Sequence, residues 1–443
     1  MPATALSSRG TTASVNYPKD FALWDIISNL WHPESNPDGY VSLGLAENVL
    51  MHNELREFLN SKKLVDPQAV SFTYGSGPYG SKGIRASITN FMNHHFKPFS
   101  PLQPDHVMVT NGVSVAIEHC AWGLANPGDG ILLGRPYYRA FLPDIGMRTG
   151  VKVVPVSFGT VDPCGVDCVA AYEATLLKSN AEGVKIRALM LCHPHNPLGR
   201  CYSIDTLIAL LRLCSKYNIH LISDEIYALT VWVNTIDSPA PTRPAVPFSS
   251  ILSLDVASLI DPSLVHVLWG VSKDFGANGL RSGAIISPGN PGFIQACKAC
   301  GIWSSPSSLA ENAVCAILND EEFVERYIGL NRERLSTAYA HAVAELKKHG
   351  IEHIPGANAA FFIWINLGKM FKDDVAGSMK SVSLSDDIGV TARVHERLMA
   401  RKVYLVDGDA AGAEEEGWFR LVFTQPPELI TEAIGRISAA LRA

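Results

Sequence analysis

What most constrains this chain is a succession of apolar runs that do not alternate: "HVMVTN", "GILLG", "VKVVPVSF", "IRALMLCHP", "IHLISDEIY" and "LVHVLWGVSKD". A strand with one wet face alternates apolar and polar residues, whereas a strand covered on both faces reads as continuous Val, Ile and Leu. Helical patterns such as "SVAIEHCAWGLAN", "YYRAFLPDI" and "LIALLRLCSKYN" separate the runs. The alternation predicts an α/β three-layer sandwich, with a mainly parallel sheet between helices. In such sheets ligands bind outside the carboxyl ends of the strands. The residues just beyond each run are therefore the candidates for function.

The 443 residues exceed one simple core, and about two or three domains are expected. From about residue 315 the pattern changes to a long amphipathic stretch, "EEFVERYIGLNRERLSTAYAHAVAELKKHG", then strand-like "AAFFIWINL" and "WFRLVFTQ". We expect residues 61–314 to form the large domain and 315–443 a smaller α+β domain. Residues 1–60 should pack with the smaller one, so that both chain ends build it. The opening "MPATALSSRGTTASV" is expected to be polar and frayed. The Pro- and Ser-rich "VNTIDSPAPTRPAVPFSS" reads as a surface loop of the large domain.

After "HVMVT" comes Asn111-Gly112-Val113-Ser114, opening a helix. A glycine there lets backbone N–H groups close on an anion with the helix dipole behind them. Asn196-Pro197 comes after "ALMLCHP", and Asp224-Glu225-Ile226-Tyr227 after "IHLIS". A carboxylate leaving so apolar a strand needs a cation or an N–H donor. After "LVHVLWG" come Ser272 and Lys273, with Arg281 beyond, among glycines. Taken singly, each residue reads as a cap or a loop charge.

Together they fit one ligand, pyridoxal 5'-phosphate. That cofactor needs a lysine for covalent attachment and a carboxylate at its ring nitrogen. It also needs an anion cradle with an arginine for its phosphate, and donors for its phenolic oxygen. Lys273, Asp224, Gly112 to Ser114 with Arg281, and Asn196 with Tyr227 supply these. Tyr137 or Tyr138 could stack on the ring.

Other classes are disfavoured. A net charge of -6 lacks the basic excess of a nucleic-acid binder. No apolar run approaches the ~18 residues of a membrane span. The N-terminus lacks a secretory signal, so a cytoplasmic enzyme is expected. The nine cysteines are scattered, and Cys297 and Cys300 form a lone C-x-x-C without a second pair. His193 and His195 have no carboxylate to complete a ligand set, and His94-His95 reads as a solvated helix face. No metal is expected.

The combination resembles fold-type I pyridoxal phosphate enzymes, the aspartate aminotransferase superfamily, and within it the 1-aminocyclopropane-1-carboxylate (ACC) synthases. "SNPDGYVSLGLAENVL" resembles that branch's N-terminal signature, and "NPLGR", "SDEIYALTVW", "SKDFGANGLRSG" and "EEGWFRLVF" come after it in the family's order. The resemblance runs over about residues 20 to 440. It implies Lys273 as the attached lysine and proton shuttle, Asp224 at the ring nitrogen, and Tyr227 and Asn196 at the phenolic oxygen. Tyr138 would be the stacking ring, and Ser272, Arg281 and residues 112–114 would bind phosphate. Tyr79 would reach the phosphate of a neighbouring subunit, implying a homodimer with shared sites, although its spacing to Arg85 is one residue short of the plant pattern. Arg420 would grip the substrate α-carboxylate, with Ala46 and Glu47 beside the substrate.

Three departures stand out. Asp20 replaces a tyrosine that plant ACC synthases use for S-adenosylmethionine, Gly270 replaces a serine, and Ser114 replaces a threonine. The resemblance implies removal of the α-proton of an amino acid. The next step is either loss of a sulfur leaving group, as in an ACC synthase-like or C–S lyase, or transamination. A non-catalytic relative that keeps the fold is a third, minor reading. The acidic run Glu414-Glu415-Glu416 reads as a solvated loop.

Overall fold

A computed structural model of the chain describes residues 6–65, 70–377 and 388–442, without the side chains of the helical residues 16–22 and 373–377. A short strand β1 (Val41–Ser42) precedes the central sheet. That sheet comprises β2 (Val107–Thr110), β3 (Gly130–Gly134), β4 (Lys152–Val156), β5 (Ile186–Cys192), β6 (His220–Asp224), β7 (Val265–Gly270) and β8 (Gly283–Ile286). Its order is β2-β8-β7-β6-β5-β3-β4, parallel except where β8 pairs with β7 and β2. Each of the six apolar runs that opened the sequence supplies one strand of this sheet, and β8 is the seventh.

The non-alternating pattern has the expected cause. Met108, Leu133, Met190, Ile222, Leu268 and Ile285 enter one apolar core. Their chain neighbours Val109, Leu132, Leu189, Leu221, Val267 and Ile286 enter the other. Both faces of the inner strands are covered, so those strands are largely apolar, whereas the edge strand β4 is partly exposed.

A second sheet, β9 (Glu352–His353), β10 (Phe362–Asn366), β12 (Val406–Asp407) and β13 (Trp418–Val422), is antiparallel in the order β12-β13-β10-β9. The short strand β11 (Val403–Tyr404) pairs in parallel with β1, so the two chain ends meet. The helix Glu321–His349 bridges the halves. Asp320 caps its start by accepting the Phe323 N–H, and Gly350, at φ 71°, ends it in the left-handed region. Acids in its first turn and Lys347, Lys348 and His349 in its last complement the helix dipole. Its buried stripe includes Tyr327, Asn331, Leu335, Tyr339, Val343 and Leu346.

One local expectation needs correction, and two exposed loops prove to be anchored. The N-terminal stretch is a helix, Ser8–Ile27, and the Ser7 side chain accepts the Gly10 N–H at 3.2 Å at its start. Polar composition alone hid that cap. The Pro-rich loop is pinned through Asp237, whose carboxylate accepts from His353 at 2.8 Å, Tyr339 at 3.1 Å and the Gly356 N–H at 2.9 Å. The acidic run is an exposed loop, as expected, and is anchored at two points. Glu414 accepts the N–H groups of Phe158 and Gly159, and Glu416 accepts that of Val390.

Candidate active site

The strand ends converge on one cavity. Asp224 closes β6 and lies in register with Cys192, the last residue of β5. Beyond β7 a short helix, Val271–Asp274, presents Ser272 and Lys273. Residues lining the cavity include Ala46, Val113, Ser114, Tyr138, Asn196, Asp224, Tyr227, Ser272, Lys273 and Arg281. Gly112 borders it as the N-cap of the helix Val113–Leu124. Of the two adjacent tyrosines, Tyr138 faces the cavity, whereas Tyr137 lies under Gly412 and donates its N–H to the Ala411 carbonyl.

Gly112 stands at φ 87°, where an L side chain is strained. A Cβ there would overlap Nη2 of Arg281. The guanidinium therefore rests on the glycine at a helix N-terminus, which is an anion cradle. Gly270, the departure from the family's serine, has a packing reason: a Cβ would meet the Ser282 carbonyl oxygen at 2.6 Å. The close approach of β7 and β8 leaves no room for a hydroxyl.

Lys273 Nζ donates to the Ala46 carbonyl at 2.5 Å. Burial, then the like charges of Arg420 and Arg281, lower its pKa to about 8, against the opposing pull of Glu47 and Asp224. Asp224 is 4% exposed, and burial raises its pKa to about 7 even though it accepts the Ile226 N–H. Glu225 is tied elsewhere, accepting from Ser250 Oγ at 2.6 Å and the Ile251 N–H at 2.9 Å. Of this adjacent pair, Asp224 is thus the carboxyl that faces the cavity.

Arg420, on β13, is 3% exposed. It donates through Nη1 to Asn196 Oδ1 at 3.1 Å and through Nη2 to the Gly44 carbonyl at 2.6 Å. Its Nε has no partner among the described residues. A buried guanidinium with a spare donor suits a carboxylate. Glu47 does not line the cavity, and its carbonyl accepts from Thr424 Oγ1. Tyr79 is also outside the lining, its ring 4.8 Å from Lys298 Nζ and 5.3 Å from the Arg85 guanidinium. Asp20 falls in the N-terminal helix, and its side chain is outside the described residues.

Sequence reasoning passed over Ile117, Cys192, Ile226 and Asn278, which also line the cavity. Cys192 and Ile226 carry the strand-end signal that singled out Asp224; only their apolar character hid them. Asn278 lies within the quoted Lys273 loop and donates Nδ2 to the Ala46 carbonyl at 3.2 Å, while its Oδ1 is buried and unpartnered among the described residues. Asp144 had no sequence signal. It shares a neighbouring cleft with Ser114, and burial raises its pKa to about 7.

The profile of the family described as aminotransferase class I and II matches residues 43–437. The chain belongs to that family. Its members work with pyridoxal 5'-phosphate, and the cradle, the amine and the buried carboxyl described above fit that cofactor. ACC synthase 7 of Arabidopsis thaliana is 31% identical over 433 residues, spanning 94% of this chain and 90% of that protein. The "probable inactive" ACC synthase-like protein 2 of Mus musculus is 29% identical over 430 residues, spanning 95% of this chain and 69% of the relative. A double mutant of Thermus thermophilus aspartate aminotransferase shares the fold with a TM-score of 0.71 at 19% identity, covering 98% of this chain and 99% of its own. No helix among the described residues is long and apolar enough to cross a membrane.

Proposed function

We propose that this protein is a pyridoxal phosphate-dependent lyase of the ACC synthase-like group, acting on a sulfur-bearing α-amino acid. The observation that carries the reading is one lysine with a pKa near 8 in a cavity shared with a buried, otherwise unpaired aspartate. When bound, pyridoxal phosphate supplies an electron-withdrawing ring that acidifies the Cα–H of an attached amino acid. Asp224 holds a proton on the ring nitrogen. Gly112, Val113, Ser114, Ser272 and Arg281 hold the phosphate, and Tyr138 covers the ring. Asn196 and Tyr227 bond the phenolic oxygen, and Arg420 orients the substrate carboxylate. Lys273 Nζ, neutral above about pH 8, takes the Cα proton and can return it.

The lyase branch rests on the 31% identity with an ACC synthase over 94% of the chain. An aminotransferase is the second reading, favoured by the family description and by the fold shared with aspartate aminotransferase. A non-catalytic role, suggested by the name of the mouse relative, is opposed by the presence of Lys273, Asp224 and Arg420 together.

A homodimer is part of the proposal. Trp303 is 79% exposed and Met147 64%, and both line the cleft that Ser114 and Asp144 share. Exposed apolar side chains clustered beside a site suit a subunit contact, and Tyr79 would act across it.

The test is Cα-proton exchange in deuterium oxide with the cofactor-loaded enzyme and a panel of amino acids including S-adenosylmethionine. Wild type should exchange at least one, and Lys273→Ala, folded by circular dichroism, none. Exchange by Lys273→Ala at the wild-type rate, or by no amino acid in wild type, would overturn the reading.

A further inference from the structure

His94 and His95, which read in sequence as a solvated face, end the helix Lys82–His95. The fold brings Glu325, from the first turns of the helix Glu321–His349, up to them. One ligand atom from each of the three lies within 4.8 Å of the others. His94 Nε2 stands 3.5 Å from Glu325 Oε1. Two ligands of a tetrahedral zinc ion, bonded at ~2.0–2.1 Å, stand about 3.4 Å apart.

The helices that carry these groups are locked together beneath them. Phe91, one turn before His95, stacks on Trp269 at 4.9 Å and lies 5.9 Å from Phe275. Phe275 meets the Tyr327 ring at 5.3 Å, and its carbonyl accepts the Tyr327 hydroxyl at 2.7 Å. A ligand set on two rigid helices loses little entropy when it closes on an ion. His95 is half-buried against Phe91, at 4.5 Å, and its imidazole has no hydrogen-bond partner among the described residues. Burial lowers the pKa of that ring, aided by His94 and Arg332 and opposed by Glu325 and Glu321. Among the described residues Glu325 pairs with no lysine or arginine, so its carboxylate meets only His94.

We propose that His94, His95 and Glu325 form a surface site for a borderline divalent transition ion of the Zn²⁺ class. Two imidazoles and one carboxylate suit such an ion, whereas Ca²⁺ and Mg²⁺ take oxygen ligands. Three protein ligands leave a fourth position for water. The ion would tie the end of one helix to the start of another that is distant in sequence. Because the ligands meet only in the folded chain, binding would stabilise the fold.

The test is competition for Zn²⁺ between the cofactor-saturated enzyme and a chromogenic chelator. Of the nine cysteines all but Cys315 are buried, so Cys315→Ser is the thiol control. Wild type and Cys315→Ser should each take one Zn²⁺ per chain. His94→Gln and Glu325→Gln should bind about tenfold more weakly or worse, since even outer partners of a metal matter on that scale. Zn²⁺ should also raise the thermal midpoint of wild type more than that of Glu325→Gln. Failure of wild type to take zinc at micromolar concentrations would overturn the proposal, as would wild-type affinity in both ligand variants.

Discussion

Replacing Asp224 by Asn should make the cofactor-free protein more stable and the cofactor-loaded protein less responsive to its ligand. In the cofactor-free fold, burial raises the Asp224 pKa from 3.8 to about 7, with Asp144 adding to the rise and Lys273 opposing it. A raised carboxyl pKa means that the folded chain holds a proton the unfolded chain releases. The stabilising proton is fully present below about pH 4 and is lost as the pH climbs through about 7. Ionising a carboxyl whose pKa has risen this far costs about 4 kcal/mol, at about 1.36 kcal/mol for each pKa unit. That is the penalty for a charged Asp224 above pH 7, and Asn removes it while still accepting the Ile226 N–H. Cofactor-free wild type and Asp224→Asn are compared by denaturant unfolding at pH 5 and pH 8, with and without pyridoxal phosphate. The variant should gain a few kcal/mol over wild type at pH 8 and much less at pH 5. Pyridoxal phosphate should stabilise wild type more than the variant, because the ring nitrogen loses its anion. Equal stabilities at pH 8, or an equal gain from the cofactor in both, would rule out this role for Asp224.

Other expectations come from single residues. Lys273 has its pKa lowered to about 8, so its neutral, reactive fraction grows as the pH rises through 8; the rate of pyridoxal phosphate capture, followed by absorbance, should be half-maximal there and not flat from pH 7 to 9. Gly112→Ala places a Cβ against Arg281 Nη2 at φ 87°; strain of about 1–3 kcal/mol should weaken cofactor affinity about tenfold or more in a fluorescence titration. Asp162→Asn leaves the buried Arg200 guanidinium without the carboxylate it meets at 2.7 and 2.9 Å. Loss of one partner of such a pair costs about 3–5 kcal/mol, to be read as a lower thermal midpoint.

Legibility in the sequence depended on what each signal encodes. Burial of both sheet faces is a local property of each strand, so the runs at Val107–Thr110 and Val265–Gly270 announced the central sheet directly. Asp224 and Lys273 were legible because a charge at the end of an apolar run is conspicuous. Ile226 and Cys192 occupy equivalent places, but apolar side chains in an apolar context carry no contrast. Pairings between distant segments leave no local trace. The carbonyls of Gly44 and Ala46, which engage Arg420 and Lys273, belong to an N-terminal segment whose place at the site came only from a family resemblance. Asp237 with His353, and Glu325 with His94, became visible only once the chain was folded.

The proposed function requires that this site remove an α-proton and then expel sulfur. Its most direct test is product analysis after incubating the cofactor-loaded enzyme with S-adenosylmethionine and, separately, with a cysteine S-conjugate, with no amino acceptor present. Release of the sulfur leaving group from at least one is expected: methylthioadenosine with ACC, or a free thiol with pyruvate and ammonia. No sulfur release from either, together with glutamate formation when 2-oxoglutarate and simple amino acids are supplied, would contradict the lyase reading and make the protein an aminotransferase.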